Sequence, residues 1–161
     1  MMDYFNRRFL INLITVLIIF SLDRISKLYV IFQNEKNLSS NLFTSKFLNI
    51  NLIWNDGIAF GLFSFDEKMY YNILTVLILI ITLVILWMIT KTKGLEKFAF
   101  LMIFGGSLGN VFDRIFYSSV PDFIDFHINN FHWFIFNVAD IFITLGVIFL
   151  ICLELFFKKK V

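Results

Sequence analysis

The chain has 161 residues, 59% of them hydrophobic and only 16% charged, with one proline, one cysteine and 23 phenylalanines. Soluble domains carry roughly 45–50% apolar and about 25% charged residues, so in water a fold of this length would display apolar surface that it has no core to hide. Its length excludes a large multidomain enzyme, the lone Cys152 excludes a disulfide framework or a cysteine metal site, and a net charge of +2 without a basic stripe excludes nucleic acid as a partner.

Lipid is the solvent that fits, and a helix needs about 20 predominantly apolar residues to cross about 30 Å of hydrocarbon. Four segments meet that length in chain order. The first runs from about residue 9 to 29 and ends among Asp23, Arg24 and Lys27; Arg7 and Arg8 precede it as in a signal peptide, but no small-residue cleavage site follows, so it reads as a retained helix. The second, about 70–90, has no charge. The third, about 98–115, contains Gly105, Gly106 and Gly109 and ends in Asp113 and Arg114. The fourth, about 137–157, opens on Asn137-Val-Ala-Asp140 and is followed by Lys158, Lys159 and Lys160. Eight Lys and Arg fall in residues 1–8, 91–97 and 158–160, against three (Lys36, Lys46, Lys68) in 32–69 and none in 116–136. By the positive-inside rule both termini are cytoplasmic, and 30–69 and 116–136 are the outer loops.

Each outer loop has a pattern of its own. Residues 46–54 alternate as a strand does, turn at Asn55-Asp56-Gly57, and a second apolar run follows from Ile58 to Phe65, which predicts a pair of short strands. In the second loop, Phe126 and Ile128 precede Asn129-Asn130, and Phe131 and Trp133 follow, the outline of another hairpin. The aromatics suit a surface at headgroup level. With no repeat or linker, the chain reads as one membrane-embedded domain: four transmembrane helices with a small extracytoplasmic sheet.

On this topology the polar residues converge at one depth. Asp23, Arg24 and Lys27 lie at the outer end of helix 1, Asn110, Asp113 and Arg114 at that of helix 3, Asn137 and Asp140 in the first turn of helix 4, and Asp122 and Asp125 in the loop between. Ionisable groups in a membrane are costly and normally face a bundle interior or a water-filled cavity. The spacing pairs Asp23 with Lys27 at i, i+4 and sets Asp113 beside Arg114, pairs that orient helices. The Gly105-x-x-x-Gly109 spacing lets another helix approach just below Asn110. Asp122 and Asp140 have no basic residue within four positions. Two such carboxylates are either a dyad sharing one proton, as in aspartic proteases, or part of an ion or proton pathway. His127 and His132 lie beside Asp122 and Asp125, but their spacing suits neither a helix face nor a strand pair, so no metal set is expected from them. Cys152 reads as inert packing.

Five stretches, in order and covering nearly the whole chain, resemble lipoprotein signal peptidase, also called signal peptidase II. They are Asp23-Arg-Ile-Ser-Lys27, Asn55-Asp-Gly-Ile-Ala-Phe-Gly61, Gly105-Gly-Ser-Leu-Gly-Asn-Val-Phe-Asp-Arg114, Val120-Pro-Asp-Phe-Ile-Asp125 and Phe136-Asn-Val-Ala-Asp140. The resemblance implies a membrane aspartic endopeptidase whose catalytic pair falls on Asp122 and Asp140. Supporting residues fall on Asp23, Lys27, Asn55, Gly57, Asn110, Asp113, Arg114 and Asn137. It implies no cofactor and no metal, a monomer in the bacterial inner membrane among phospholipids, and a lipid-modified prolipoprotein cut just before its diacylglyceryl cysteine. Pro121 departs from the aliphatic residue more usual before the first aspartate, and Arg24 from an uncharged polar one. The rival classes are a small transporter or ion-conducting subunit, which would spread polar residues through the full depth, and a structural assembly subunit, which leaves two carboxylates without a role.

Overall fold

A computed structural model describes residues 2–37, 41–57, 68–129 and 131–156. The four expected spans are helices: α1 (Met2–Asn37), α2 (Lys68–Lys91), α3 (Gly94–Tyr117) and α4 (Val138–Phe156). Each is long and apolar enough to cross a membrane. The first is longer than the expected span: α1 continues through Lys36 to Asn37, because the polar residues after Tyr29 end the apolar run without breaking the helix. Large apolar side chains such as Ile14, Leu17 and Ile25 on α1 and Leu77, Leu83 and Trp87 on α2 point outward, the inverse of a water-soluble surface.

Helix α3 is the hub. It packs against α1, α2 and α4, and its buried residues include Gly105, Gly106, Gly109, Asn110, Asp113 and Arg114. Two of the glycines are there because the neighbouring helices come too close for a side chain. A Cβ on Gly106 would sit 2.5 Å from the Ala139 carbonyl oxygen of α4, and one on Gly109 would strike the Asp23 carboxylate of α1. The small-residue face therefore brings the polar ends of α1 and α4 together on α3.

The two loops build one sheet rather than two separate hairpins. Strands β1 (Asn41–Thr44), β2 (Leu48–Asn55), β3 (Val120–Ile128) and β4 (Phe131–Phe136) lie in the order β1-β2-β3-β4, every pair antiparallel. Strand β2 matches the alternating run, but its partners are β1, which has no clear sequence signal, and β3. The Ile58–Phe65 run lies outside the described residues. Asn55 pairs with Val120, Trp54 with Pro121 and Ile53 with Asp122. Pro121 is tolerated in β3 because pairing with β4 begins only at Ile124, so its missing N–H costs no ladder bond on that side.

One expectation is overturned here. His127 and His132 are direct cross-strand partners. Asn129, at φ 53, turns the chain tightly enough for a five-residue separation to close a strand pair.

Gly106→Ala tests the close approach of α3 and α4, since the Ala139 backbone cannot retreat without displacing Asp140 beside it. Overpacking of this kind costs about 1–3 kcal/mol, so thermal unfolding in detergent is expected several degrees lower, while the outward-facing Leu83→Ala leaves it unchanged. An unaltered midpoint for Gly106→Ala contradicts the packing described.

Candidate active site

Among the described residues the buried charged side chains are Asp23, Arg24, Lys27, Asp113, Arg114, Asp122 and Asp125, and all but Asp125 meet where α1, α3, α4 and the β2–β3 end of the sheet converge. Lys27 is fully buried. Its ammonium donates to Asp23 at 2.9 Å, to Asn110 Oδ1 at 2.9 Å and to Asp113 Oδ2 at 2.7 Å, three partners for three donors. Arg24 stands beside it, 2.6 Å from Asp113 and 3.0 Å from Asp23, its guanidinium over the Phe112 ring. Two cations and two carboxylates thus form a closed cluster in which each buried charge is met.

Sequence spacing pairs Asp113 with Arg114, and the structure corrects this. Asp113 faces Lys27 and Arg24, because adjacent residues on a helix point about 100° apart. Arg114 turns the other way, donating to the Gly57 carbonyl at 3.3 Å and to the Asn110 carbonyl at 3.4 Å. It therefore ties α3 to the stretch of the first loop that follows β2.

Asp122 and Asp140 enter this region from β3 and from the first turn of α4. Asn137 connects them. Its backbone N–H donates to Asp140 Oδ2 at 3.1 Å, and its Oδ1 accepts the Asp140 N–H at 3.2 Å. This is a capping box at the start of α4, with Asn137 as the cap and Asp140 three residues on. The remaining Asn137 Nδ2 donates to Asp122 Oδ1 at 2.6 Å. A further early N–H of α4, that of Ala139, goes to Asp23 Oδ1 at 3.0 Å, so α1 also helps cap α4.

Three asparagines hold the two carboxylates, and in each the amide can point only one way. Lys27, which cannot accept, occupies Asn110 Oδ1, leaving Asn110 Nδ2 to donate to Asp140 Oδ1 at 2.8 Å. The Gly57 N–H occupies Asn55 Oδ1 at 3.0 Å, leaving Asn55 Nδ2 for Asp122 Oδ2 at 2.8 Å. The Asp140 N–H fixes Asn137 in the same sense. Each carboxylate so receives two N–H donors.

Asp122 is buried at 4% exposure. Burial, and next the nearby charge of Asp140, push its pKa from an ordinary 3.8 to about 6, against the opposing donation from Asn55 and Asn137. Arg114 is within electrostatic reach of both Asp122 and Asp140. The assembly then holds three cations (Arg24, Lys27, Arg114) and four carboxylates (Asp23, Asp113, Asp122, Asp140), so one proton on the Asp122–Asp140 pair makes it neutral. A carboxylate and a carboxylic acid held by one asparagine can act as base and acid toward one substrate.

Not every expected residue joins them. Asp125, three positions along β3 from Asp122, lies on the opposite face, where Asn49 Nδ2 donates to it at 3.2 Å and His132 meets it at 2.9 Å. Tyr71 of α2, which carries no motif, is buried beside the site within electrostatic reach of Arg114. Its hydroxyl finds no hydrogen-bond partner among the described residues. A tyrosine opening an apolar helix looks in sequence like any interfacial aromatic.

The sequence matches the family described as signal peptidase (SPase) II over residues 15–157. It is 49% identical over 154 residues to a lipoprotein signal peptidase of Pelagibacter ubique, covering 96% of this chain and 93% of the relative. To one from Anaplasma phagocytophilum it is 38% identical over 150 residues, covering 92% and 94%. Two solved bacterial membrane enzymes share the fold, one at TM-score 0.73 and 29% identity over 91% of this chain and 94% of the other, the second at 0.71 and 28% over 93% of each.

The raised pKa gives a signed expectation. Protonated Asp122 is favoured in the folded state, so its stabilisation is whole below the ordinary 3.8 and is lost as pH rises through about 6. The difference is roughly 3 kcal/mol in order of magnitude. Thermal stability in detergent should therefore fall between about pH 4 and 7, and the slope should shrink in Asp122→Asn; an equal slope in both proteins contradicts the assignment.

Proposed function

The chain belongs to the signal peptidase II family, whose members remove signal peptides from prolipoproteins, and we propose that it does so with Asp122 and Asp140 as an aspartic dyad. The observation that carries this reading is the arrangement around Asn137, which holds both carboxylates within one capping box and its neighbouring strand. The ionised member takes a proton from a water molecule, which attacks the scissile carbonyl. The protonated member hydrogen-bonds the carbonyl oxygen and afterwards supplies the proton needed by the leaving amine. Asn55, Asn110 and Asn137 hold the dyad, Arg114 secures α3 to Gly57, and the ion cluster of Asp23, Arg24, Lys27 and Asp113 fixes the helix ends that carry it.

The substrate in this reading is a prolipoprotein whose signal helix lies in the bilayer and whose cut falls just before the diacylglyceryl cysteine. The Lys and Arg asymmetry supports cytoplasmic termini and, with them, a dyad at the extracytoplasmic face, and the membrane in this reading is the bacterial inner membrane. The sheet, with outward Phe43, Phe47, Trp54, Phe131 and Trp133, is suited to lie at the headgroups over the cleft. The working unit is a single domain, active as a monomer among phospholipids. A transporter would need polar side chains through the whole depth, whereas the buried charges cluster at one end of the helices.

Each general acid or base role is typically worth 10²–10⁴-fold. Asp122→Asn and Asp140→Asn are each expected to lose at least about a hundredfold in cleavage of a diacylglyceryl precursor peptide while still inserting. Near-normal processing by either variant, or ion movement by purified protein that cuts nothing, would overturn the dyad.

A further inference from the structure

The far end of the sheet holds a second group of side chains that the peptidase chemistry does not use. Asp125 and His127 are two residues apart on β3, and His132 on β4 is the direct partner of His127. The two imidazoles stack, with ring centroids 5.0 Å apart and planes at 21°. Asp125, only 2% exposed, has both carboxylate oxygens 2.9 Å from His132 Nδ1. One donor atom from each of the three residues lies within 4.8 Å of the others.

We propose that Asp125, His127 and His132 bind a divalent transition cation of the zinc class, which staples the β3–β4 hairpin. Two imidazoles and one carboxylate form a donor set that suits Zn²⁺, whereas Mg²⁺ and Ca²⁺ are taken by all-oxygen sites. Two further features point to a ligand. His127 Nδ1 is buried and finds no hydrogen-bond partner among the described residues, a state that costs free energy unless something accepts its lone pair or its proton. Asn49 meanwhile donates to Asp125 from the neighbouring strand β2, the outer hydrogen bond that orients a ligating carboxylate.

Tetrahedral zinc with bonds of about 2 Å needs donors roughly 3.3 Å apart. His132 already stands 2.9 Å from Asp125, so the distance left to close is to His127, and the His132 side chain, 53% exposed, has room to turn toward it. The same exposure leaves the fourth position to water. The hairpin begins on the strand that carries Asp122, so the cation would hold that strand's far end in register.

The test uses untagged full-length protein in detergent, stripped with a chelator and titrated with Zn²⁺ by calorimetry and thermal unfolding. One Zn²⁺ per chain at micromolar or tighter affinity is expected, with a rise in unfolding temperature of several degrees and no such rise with Mg²⁺. His127→Gln and His132→Gln are each expected to weaken binding at least tenfold. X-ray absorption at the zinc edge of the unmutated protein reads the ligands even if a variant fails to fold, and two imidazoles in the shell are expected. An absence of saturable binding, an affinity unchanged in both variants, or a shell without imidazole overturns the site.

Discussion

A single buried ammonium group organises the polar end of the helix bundle. Lys27 has no exposed surface, and its three donors are taken by Asp23 on its own helix and by Asn110 and Asp113 on α3. Removing it would leave two buried carboxylates short of a partner, a change that typically costs about 3–5 kcal/mol. Its effect travels further than its contacts. By occupying Asn110 Oδ1 it aims the Asn110 amide at Asp140, and by holding Asp23 it presents a carboxylate oxygen to the first turn of α4.

The glycine face of α3 is the steric counterpart of that charge. The Asp23–Lys27 pair can reach α3 and α4 together only because Gly106 and Gly109 carry no side chains where the backbones approach. Close packing and charge pairing thus depend on each other. The result is a rigid frame at one end of the helices, against which β2 and β3 bring Asn55 and Asp122. In that frame the proposed dyad is the only part with an incomplete charge balance, and one shared proton completes it.

Much of this was legible in the sequence, for identifiable reasons. Four apolar runs gave four helices, because lipid leaves the backbone few alternatives. Asp122 and Asp140 stood out by having no local cation, and the Asp23–Lys27 pair followed from helical spacing. The errors lie where contacts are long-range. Spacing matches Asp113 with its neighbour Arg114 although its partners sit on α1, and β1 escapes sequence because Asn41–Thr44 has a strand's pairing without a strand's pattern. His127 and His132 are opposed by the same Asn129-Asn130 hairpin that the sequence outlines, and their five-residue separation misleads only when it is read apart from that turn. The amide orientations of Asn55, Asn110 and Asn137 follow only from donors brought together by folding.

The most direct measurement is infrared titration of the protonated carboxyl stretch in the purified protein, compared with Asp122→Asn and Asp140→Asn. A dyad holding one proton predicts a single buried carboxylic acid that titrates near pH 6, above the surface carboxylates, that is lost in Asp122→Asn and titrates lower in Asp140→Asn, where the neighbouring charge is gone and burial remains. A protein with no protonated carboxyl in that range, or a band that titrates unchanged in both variants, would contradict it.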